Sequence, residues 1–226
     1  ELAEYTNAYQ QKMIMKRESI ANKGIWTAKK RYILNVYDNE GIRYNTPQLK
    51  IMGSEAIRSS TPEICREMIK ETFRLLMQDT KENTVKHIKD CEIRFNKSTV
   101  EQIAFPRSVR GLSTYEDPKT IYKKSTPIHV RGCLLYNKRL KDLNLISKYP
   151  LVKEGEKIRF VYLKEPNTIR EDVIAFVDKL PEEFDLQKYV DYEKQFDKTF
   201  LDPLDVIFKA VGWQIRVTNT LSEFFT

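Results

Sequence analysis

Glycine, histidine and cysteine are scarce in this 226-residue sequence, and each shortage excludes a class of site. Seven glycines leave no glycine-rich loop that could cradle phosphates, which excludes P-loop and dinucleotide-binding chemistry. Two histidines are too few for a usual zinc site. Cys65, Cys91 and Cys133 lie far apart and are odd in number. They therefore form neither a disulfide framework nor a Cys-x-x-Cys metal clip, and they indicate a reducing compartment.

Long apolar runs are also absent. No run approaches the roughly 18 residues that a membrane span needs, and the first residues lack the basic-then-apolar plan of a signal peptide. We therefore expect neither a membrane span nor export. Basic residues outnumber acidic ones by 39 to 32, which gives a formal net charge of +7. Nucleic acid is the sharper interpretation of this charge, and solubility alone is the other.

Alternation and turn residues predict β structure in the first part of the chain. Residues 31–37 alternate between two faces of a strand, residues 38–41 supply a turn, and residues 42–44 return as the partner strand. Pro47 is expected to interrupt the pairing, so that residues 49–51 form a third short strand.

Helical spacing begins after this region. The apolar stripes predict a helical pair over residues 61–97, with a break at residues 79–81. The first helix has two candidate caps, Ser60 in a capping box or Thr61 at the N-cap. A helix begins here with either cap.

The second half of the sequence is less regular. Residues 98–127 have no periodic pattern but contain many Arg, Lys and Ser residues, and a stretch of this length is usually functional or disordered. Residues 128–136 and 158–163 predict strands. The last apolar spacing predicts a helix that is interrupted before Pro203 and then resumes.

Two basic clusters are candidates for nucleic-acid binding. The first, Lys29-Lys30-Arg31-Tyr32, is predicted to open a strand, which would place Lys30 and Tyr32 on one face. That face could lie along a nucleic-acid groove, and the alternative is a solvated edge strand guarded by lysines. The second cluster lies in the irregular stretch and carries side chains that often contact phosphates. Its members are Arg107, Ser108, Arg110, Ser113, Lys119, Lys123 and Lys124. The alternative for this cluster is a merely soluble loop.

Carboxylates offer only a weak case for catalysis. Glu154 and Glu156 with Lys157 superficially resemble a metal-dependent nuclease site, and Glu171-Asp172 with the following Asp178 offers a looser version. Both sets fall in polar turns rather than on buried strands, where converging carboxylates could hold Mg²⁺. A stand-alone nuclease is therefore the least favoured function. We predict no catalytic and no metal-binding residue in this chain.

Ordered motifs add a resemblance to these observations. The motifs are Met15-Lys16-Arg17-Glu18-Ser19-Ile20-Ala21, Trp26-Thr27-Ala28-Lys29-Lys30-Arg31-Tyr32, Leu49-Lys50-Ile51-Met52-Gly53-Ser54-Glu55, Arg58-Ser59-Ser60-Thr61-Pro62, Pro127-Ile128-His129-Val130-Arg131-Gly132 and Lys198-Thr199-Phe200-Leu201. In this order they resemble the C-terminal part of a tailed-phage replicative family B DNA polymerase. The resemblance implies an α+β fold in which residues 1–60 are the antiparallel end of the palm. Residues 61–226 would be a mainly helical thumb with a small β subregion and a C-terminal clamp-binding tail.

The resemblance also implies site residues. Lys30 and Tyr32 correspond to the family's Lys-x-Tyr element, which contacts the primer-terminal duplex in the minor groove. The full set of predicted nucleic-acid-binding residues is Lys29, Lys30, Tyr32, Lys50, Arg58, Ser59, Arg107, Ser108, Arg110, Ser113, Lys123, Lys124, His129 and Arg131. The predicted clamp-binding residues are Leu221, Phe224 and Phe225, which helical spacing would bring to one face. The same three side chains could instead cap the core.

The family's two metal-binding aspartate motifs have no counterpart in these 226 residues. The resemblance therefore implies that Mg²⁺ is bound by an N-terminal polymerase segment or subunit, and that this chain alone is inactive. Its other expected partners are primer–template DNA and, less securely, a sliding clamp. The expected location is the cytoplasm of an infected bacterial host. A stand-alone duplex-binding module without a polymerase partner is the alternative.

Overall fold

The computed structural model describes residues 15–214. It begins with a three-stranded antiparallel sheet in the order β1-β2-β3. The strands are β1 (Ser19–Ala28), β2 (Arg31–Asn39) and β3 (Ile42–Met52). The turn predicted between β2 and β3 is confirmed. Glu40 and Gly41 both have positive φ, which is typical of a tight two-residue hairpin turn.

The strand that contains Pro47 is continuous, so the predicted separate third strand is wrong, whereas the predicted interruption of the pairing is confirmed. Val36 pairs with Gln48 and Asp38 pairs with Arg43, which leaves residues 44–47 as a bulge on β3. β3 is also an edge strand among the described residues. Pro47 therefore needs no ladder partner for the N–H that it lacks, and the strand passes through it.

Two helices follow, and the predicted pair is confirmed. They are α1 (Glu63–Gln78) and α2 (Lys81–Asn96), and Thr80 caps α2 by accepting a hydrogen bond from the Asn83 backbone. Neither predicted cap of α1 forms, because Pro62 occupies the N-cap position and contributes no side-chain hydrogen bond.

The irregular stretch contains short regular elements. These are α3 (Val100–Ile103), β4 (Phe105–Ser108), α4 (Leu112–Tyr115) and a small hairpin of β5 (Glu116–Asp117) and β6 (Ile121–Tyr122). Each is too short to produce a periodic signal, which is why the sequence pattern looks irregular.

The segment predicted as a strand at residues 128–136 is a helix, α5 (Ile128–Asp142). Its buried residues include Val130, Cys133 and Leu134, which have the i, i+3, i+4 spacing of a helix face. The alternating start of the segment, Ile-His-Val, imitates a strand over a window too short to separate the two periods.

α5 packs against a second antiparallel sheet in the order β4-β7-β8. The new strands are β7 (Lys157–Tyr162) and β8 (Val173–Phe176). β7 confirms the predicted strand. All four residues of β8 are buried, so the strand has no alternation by which the sequence could reveal it.

A helical rod ends the described chain. It consists of α6 (Tyr192–Phe196), a π turn over Asp197–Leu201, and α7 (Asp202–Ala210). The predicted interruption before Pro203 is confirmed as the π turn, and α7 then begins with Pro203 in its first turn, where a missing N–H costs little. One hydrophobic core extends from Ile33 on β2 to Phe208 on α7. The architecture is α+β, as predicted.

None of the helices within residues 15–214 combines the length and apolar composition that crossing a bilayer requires.

Gly132 on α5 lies close to the backbone of β8, and this contact generates the first prediction. A Cβ at this position would lie 2.9 Å from the Ala175 backbone nitrogen and 3.2 Å from the Ala175 Cβ. Gly132→Ala should therefore destabilise the protein by about 1–3 kcal/mol, despite the better helix propensity of alanine.

Denaturant unfolding of Gly132→Ala measures this cost. The control is Lys138→Ala on the exposed side of the same helix, where we expect a change of about 0.5 kcal/mol or less. A stabilised Gly132→Ala variant would contradict the proposed close packing.

Candidate nucleic-acid interface

A cleft of about 560 Å³ lies between the first sheet and the rest of the described chain. One wall is the first sheet and the turn after it, and the other is formed by β4, β7, the start of α5 and the π turn with α7. The side chains that give the cleft its chemistry are Arg31, Tyr32, Glu55, Arg58, Arg107, His129, Tyr162, Lys198 and Asp202. The cleft therefore joins elements from both halves of the sequence.

Arg107 is the half-buried cation of this cleft. Its Nη1 donates to the Ser60 carbonyl oxygen at 3.0 Å, and its guanidinium lies 5.7 Å from the centre of the Phe105 ring. Burial lowers the pKa of Arg107, and the nearby charge of Arg58 lowers this pKa further. The pKa falls because a charged guanidinium partly removed from water is disfavoured.

The two carboxylates of the cleft are already paired. Glu55 accepts from Arg58 at 2.9 Å, and Asp202 lies 2.8 Å from Lys198. Neither Arg31 nor Arg107 takes part in any of the ion pairs formed among residues 15–214. The cleft thus has more positive charge than its own acids neutralise, which suits an anionic ligand.

His129 lies at the start of α5 and faces the same space. Burial lowers its pKa, and the charge of Arg107 lowers it further. Both effects favour the neutral form of the imidazole.

The predicted strand position of Lys30 is wrong. Ala28 pairs with Arg31, so Lys29 and Lys30 are the two loop residues of the β1–β2 hairpin, and Lys30 has a φ of 61°. Both lysines are exposed at the end of the sheet, whereas Tyr32 is half-buried and lines the cleft. Lys30 and Tyr32 therefore do not share a strand face. The turn brings two ammonium groups to the same end of the sheet as the cleft.

The second basic cluster forms an ordered loop surface. Ser108, Arg110, Ser113, Lys123 and Lys124 are all exposed. Glu154 holds this loop by accepting from the backbone nitrogens of Gly111 at 2.6 Å and Leu112 at 2.9 Å. A carboxylate with two backbone donors is a structural anchor, and the nuclease interpretation of Glu154 loses its basis.

The comparisons with known proteins agree with the motifs. The chain is 31% identical to the DNA-directed DNA polymerase of Enterobacteria phage T4 over its whole length. It is 37% identical, again over its whole length, to the DNA-directed DNA polymerase of Escherichia phage RB69. The resemblance to phage DNA polymerases is confirmed. The chain spans 26% of the length of each of these relatives. No protein-family model matches it.

Two predicted phosphate-binding cations are neutralised within the chain, which the likeness to phage polymerases does not reveal. Arg131 forms an ion pair with Asp172 and lies 5.7 Å from the centre of the Tyr122 ring. Lys50 pairs with Glu18. A phosphate would have to compete with these carboxylates. Arg131 and Lys50 therefore stay predicted phosphate-binding residues, and we rank them below Arg107.

The remaining predicted residues fall into three places. Arg58 lines the cleft, and Ser59 lies beside it on the surface that leads to α1. Leu221, Phe224 and Phe225 lie outside residues 15–214, the part of the chain that the structure describes. Within that part, no three His, Cys, Asp or Glu side chains come together as ligands for a metal ion.

Sequence reasoning missed two cleft residues, Tyr162 and Lys198, and left Arg31 out of the final set of binding residues although it belongs to the first basic cluster. Lys198 stands inside a motif of the polymerase resemblance, and this was its only available signal. Tyr162 has none, because it is one aromatic residue on an apolar strand.

The wall of the cleft opposite the first sheet is held together by Gln195 on α6, whose side chain is fully buried. Its Nε2 donates to the Ile103 carbonyl oxygen at 2.8 Å, and its Oε1 accepts from the Tyr162 backbone nitrogen at 3.2 Å. Gln195→Leu should cost about 2–5 kcal/mol of stability, because two buried backbone groups lose their partner.

Urea unfolding checks this cost, with Gln48→Leu as the control. Gln48 is exposed on β3, so its replacement should change stability by about 0.5 kcal/mol or less. Equal changes in the free energy of unfolding for the two substitutions would show that the buried hydrogen bonds of Gln195 do not stabilise the protein.

Proposed function

We propose that this chain holds primer–template duplex DNA and positions the primer end, as the C-terminal part of a DNA-directed DNA polymerase in phage DNA replication. The observation that carries the proposal is similarity along the whole chain to two phage DNA-directed DNA polymerases. Residues 1–60 would be the end of a family B palm, and residues 61–226 would be the thumb. The passage from the first sheet to α1 falls at this boundary, which supports the division.

The distribution of charge supports duplex binding. The Lys29-Lys30 turn and the loop that carries Arg110 and Lys123 are exposed and basic, and the cleft has two arginines without a carboxylate partner among the described residues. Contacts to phosphates and to the minor-groove edges carry little sequence information. We therefore propose binding that is largely independent of base sequence.

The chemical step is proposed to take place on residues that lie elsewhere in the complete polymerase. Residues 15–214 contain no cluster of acidic, His or Cys side chains that would fit Mg²⁺. The contribution of this chain would be positioning, and a displacement of about 1 Å at the primer end can cost on the order of 100-fold in rate. The chain alone is proposed to be inactive, and the proposed setting is an infected bacterial cell.

Whether the polymerase partner is a separate subunit or another part of the same polypeptide is a question for co-purification. A chain that bears acidic metal ligands should bind these 226 residues if the polymerase proposal is right. A stand-alone duplex-binding module would bind DNA equally well without it.

The hairpin turn provides the direct test of duplex binding. The double variant Lys29→Ala/Lys30→Ala should weaken binding of a primer–template duplex and reduce the slope of log affinity against log salt by about one to two. Thermal unfolding should change little, because exposed lysines contribute little to stability. Fluorescence anisotropy over a salt series measures both affinity and slope.

The matched control removes two exposed lysines from α2, Lys86→Ala/Lys89→Ala. It makes the same change in net charge at another surface. If both double variants weaken binding equally, the effect is one of total charge, and the proposed role of the turn is wrong.

Clamp docking by Leu221, Phe224 and Phe225 remains part of the proposal. Removal of residues 219–226 should reduce processive synthesis with a sliding clamp and leave distributive synthesis and the melting temperature unchanged. Primer extension by the reconstituted polymerase, with and without clamp, measures this. A lower melting temperature would instead assign the three residues to the core.

A further inference from the structure

Of the two arginines in the cleft that form no ion pair among the described residues, Arg107 is half-buried and Arg31 is exposed. After Arg58 has paired with Glu55, Arg107 still has no carboxylate partner within residues 15–214, and the Arg58 charge acts on it. A half-buried guanidinium in this state is stabilised by any anion that enters. The cleft is large enough for such a ligand, at about 560 Å³.

The geometry of Arg107 fits a phosphate oxygen better than a diffuse counter-ion. Its Nη1 donates to the carbonyl oxygens of Ser60 at 3.0 Å and Pro106 at 3.4 Å, and its Cζ lies 5.7 Å from the centre of the Phe105 ring. The guanidinium is therefore held in place before a ligand arrives. Its Nε and Nη2 groups are left to form the paired hydrogen bonds that arginine makes with phosphate.

We infer that the cleft binds one phosphate group at Arg107 and that His129 takes up a proton when this group binds. The inference deepens the proposed function and rests on it for the source of the phosphate. A backbone phosphodiester of the duplex and free pyrophosphate offer the same chemistry, and the experiment separates them.

The proton uptake follows from the environment of His129. Burial and the charge of Arg107 lower the pKa of this imidazole. A phosphate on Arg107 would cancel that charge and offer an acceptor for the imidazolium, so the pKa would rise. Because binding is then coupled to protonation, affinity should increase as the pH falls.

The other groups that face the cleft do not reproduce this behaviour. Glu55 and Asp202 are held in ion pairs with Arg58 and Lys198, and the hydrogen bond to Asp202 raises the pKa of Lys198. The phenols are those of Tyr32 and Tyr162, and burial raises the pKa of Tyr162, which keeps it neutral. The Phe160 ring, whose centre is 6.5 Å from that of the His129 ring, is apolar.

Proton NMR of the imidazoles provides the experiment, because the chain has only two histidines. His87 lies on α2 beside Cys91 and is the internal reference. The 226-residue chain is titrated with pH alone, with inorganic pyrophosphate, and with a primer–template duplex. We expect a ligand to raise the titration midpoint of His129 by about one pH unit and to leave that of His87 unchanged.

Binding measurements use the same linkage. Duplex affinity of the unmodified chain should increase several-fold, and at most about tenfold, from about pH 8 to about pH 6. His129→Gln should abolish most of this pH dependence while it retains binding. Arg107→Gln should abolish the shift of the His129 midpoint, whereas Arg94→Gln on α2 removes the same charge and should leave the shift intact.

The possible results separate the two proposals. A shift of the His129 midpoint with duplex but not with pyrophosphate assigns the site to the DNA backbone. A shift with pyrophosphate but not with duplex assigns the site to free anions, and duplex binding is then judged from the measured affinity alone. Tight duplex binding with an unmoved His129 would overturn the phosphate site and leave the proposed function standing. If Arg107→Gln fails to fold, the unmodified chain and His129→Gln still decide the inference.

Discussion

The arrangement of the cleft depends on the buried amide of Gln195. It joins the end of α3 to the end of β7 through two hydrogen bonds to backbone groups, while the Thr199 hydroxyl donates to the backbone carbonyl oxygen of Gln195 at 2.7 Å. α3 leads directly into β4, which carries Arg107, and the π turn carries Lys198. A single side chain with no exposure to water therefore ties together the elements that form one wall of the cleft, the wall opposite the first sheet.

Charge is handled differently on the two sides of this framework. On the surface where α5, α6 and the start of β8 meet, the Asp172 carboxylate forms ion pairs with both Arg131 and Lys194. Inside the cleft the balance is positive, because Arg31 and Arg107 exceed what the two carboxylates neutralise. The formal charge of +7 does not reveal this difference, since it counts residues and not their neighbours.

Local signals were the part of the structure that the sequence could predict. The hairpin at Gly41 and the helices on either side of Thr80 depend on turn and cap chemistry within a few residues, and they were predicted correctly. α5 and β8 were missed because their character depends on burial between packed layers. The basic residue types of the site were found, but the neutralisation of Arg131 by Asp172 is a long-range contact with no local signature.

The π turn over Asp197–Leu201 determines which changes in chain length this protein can tolerate. A π turn contains an additional residue relative to an α-helix, and each residue rotates the following helix by about 100°. Deletion of one residue here would turn Asp202 and Ile207 away from the cleft, although both side chains would still be present. The exposed turn at Gly41, at the end of the first sheet away from the cleft, has open space beside it, so insertions there would leave the cleft in register. Length variation among relatives should therefore accumulate at that turn and be absent from the rod.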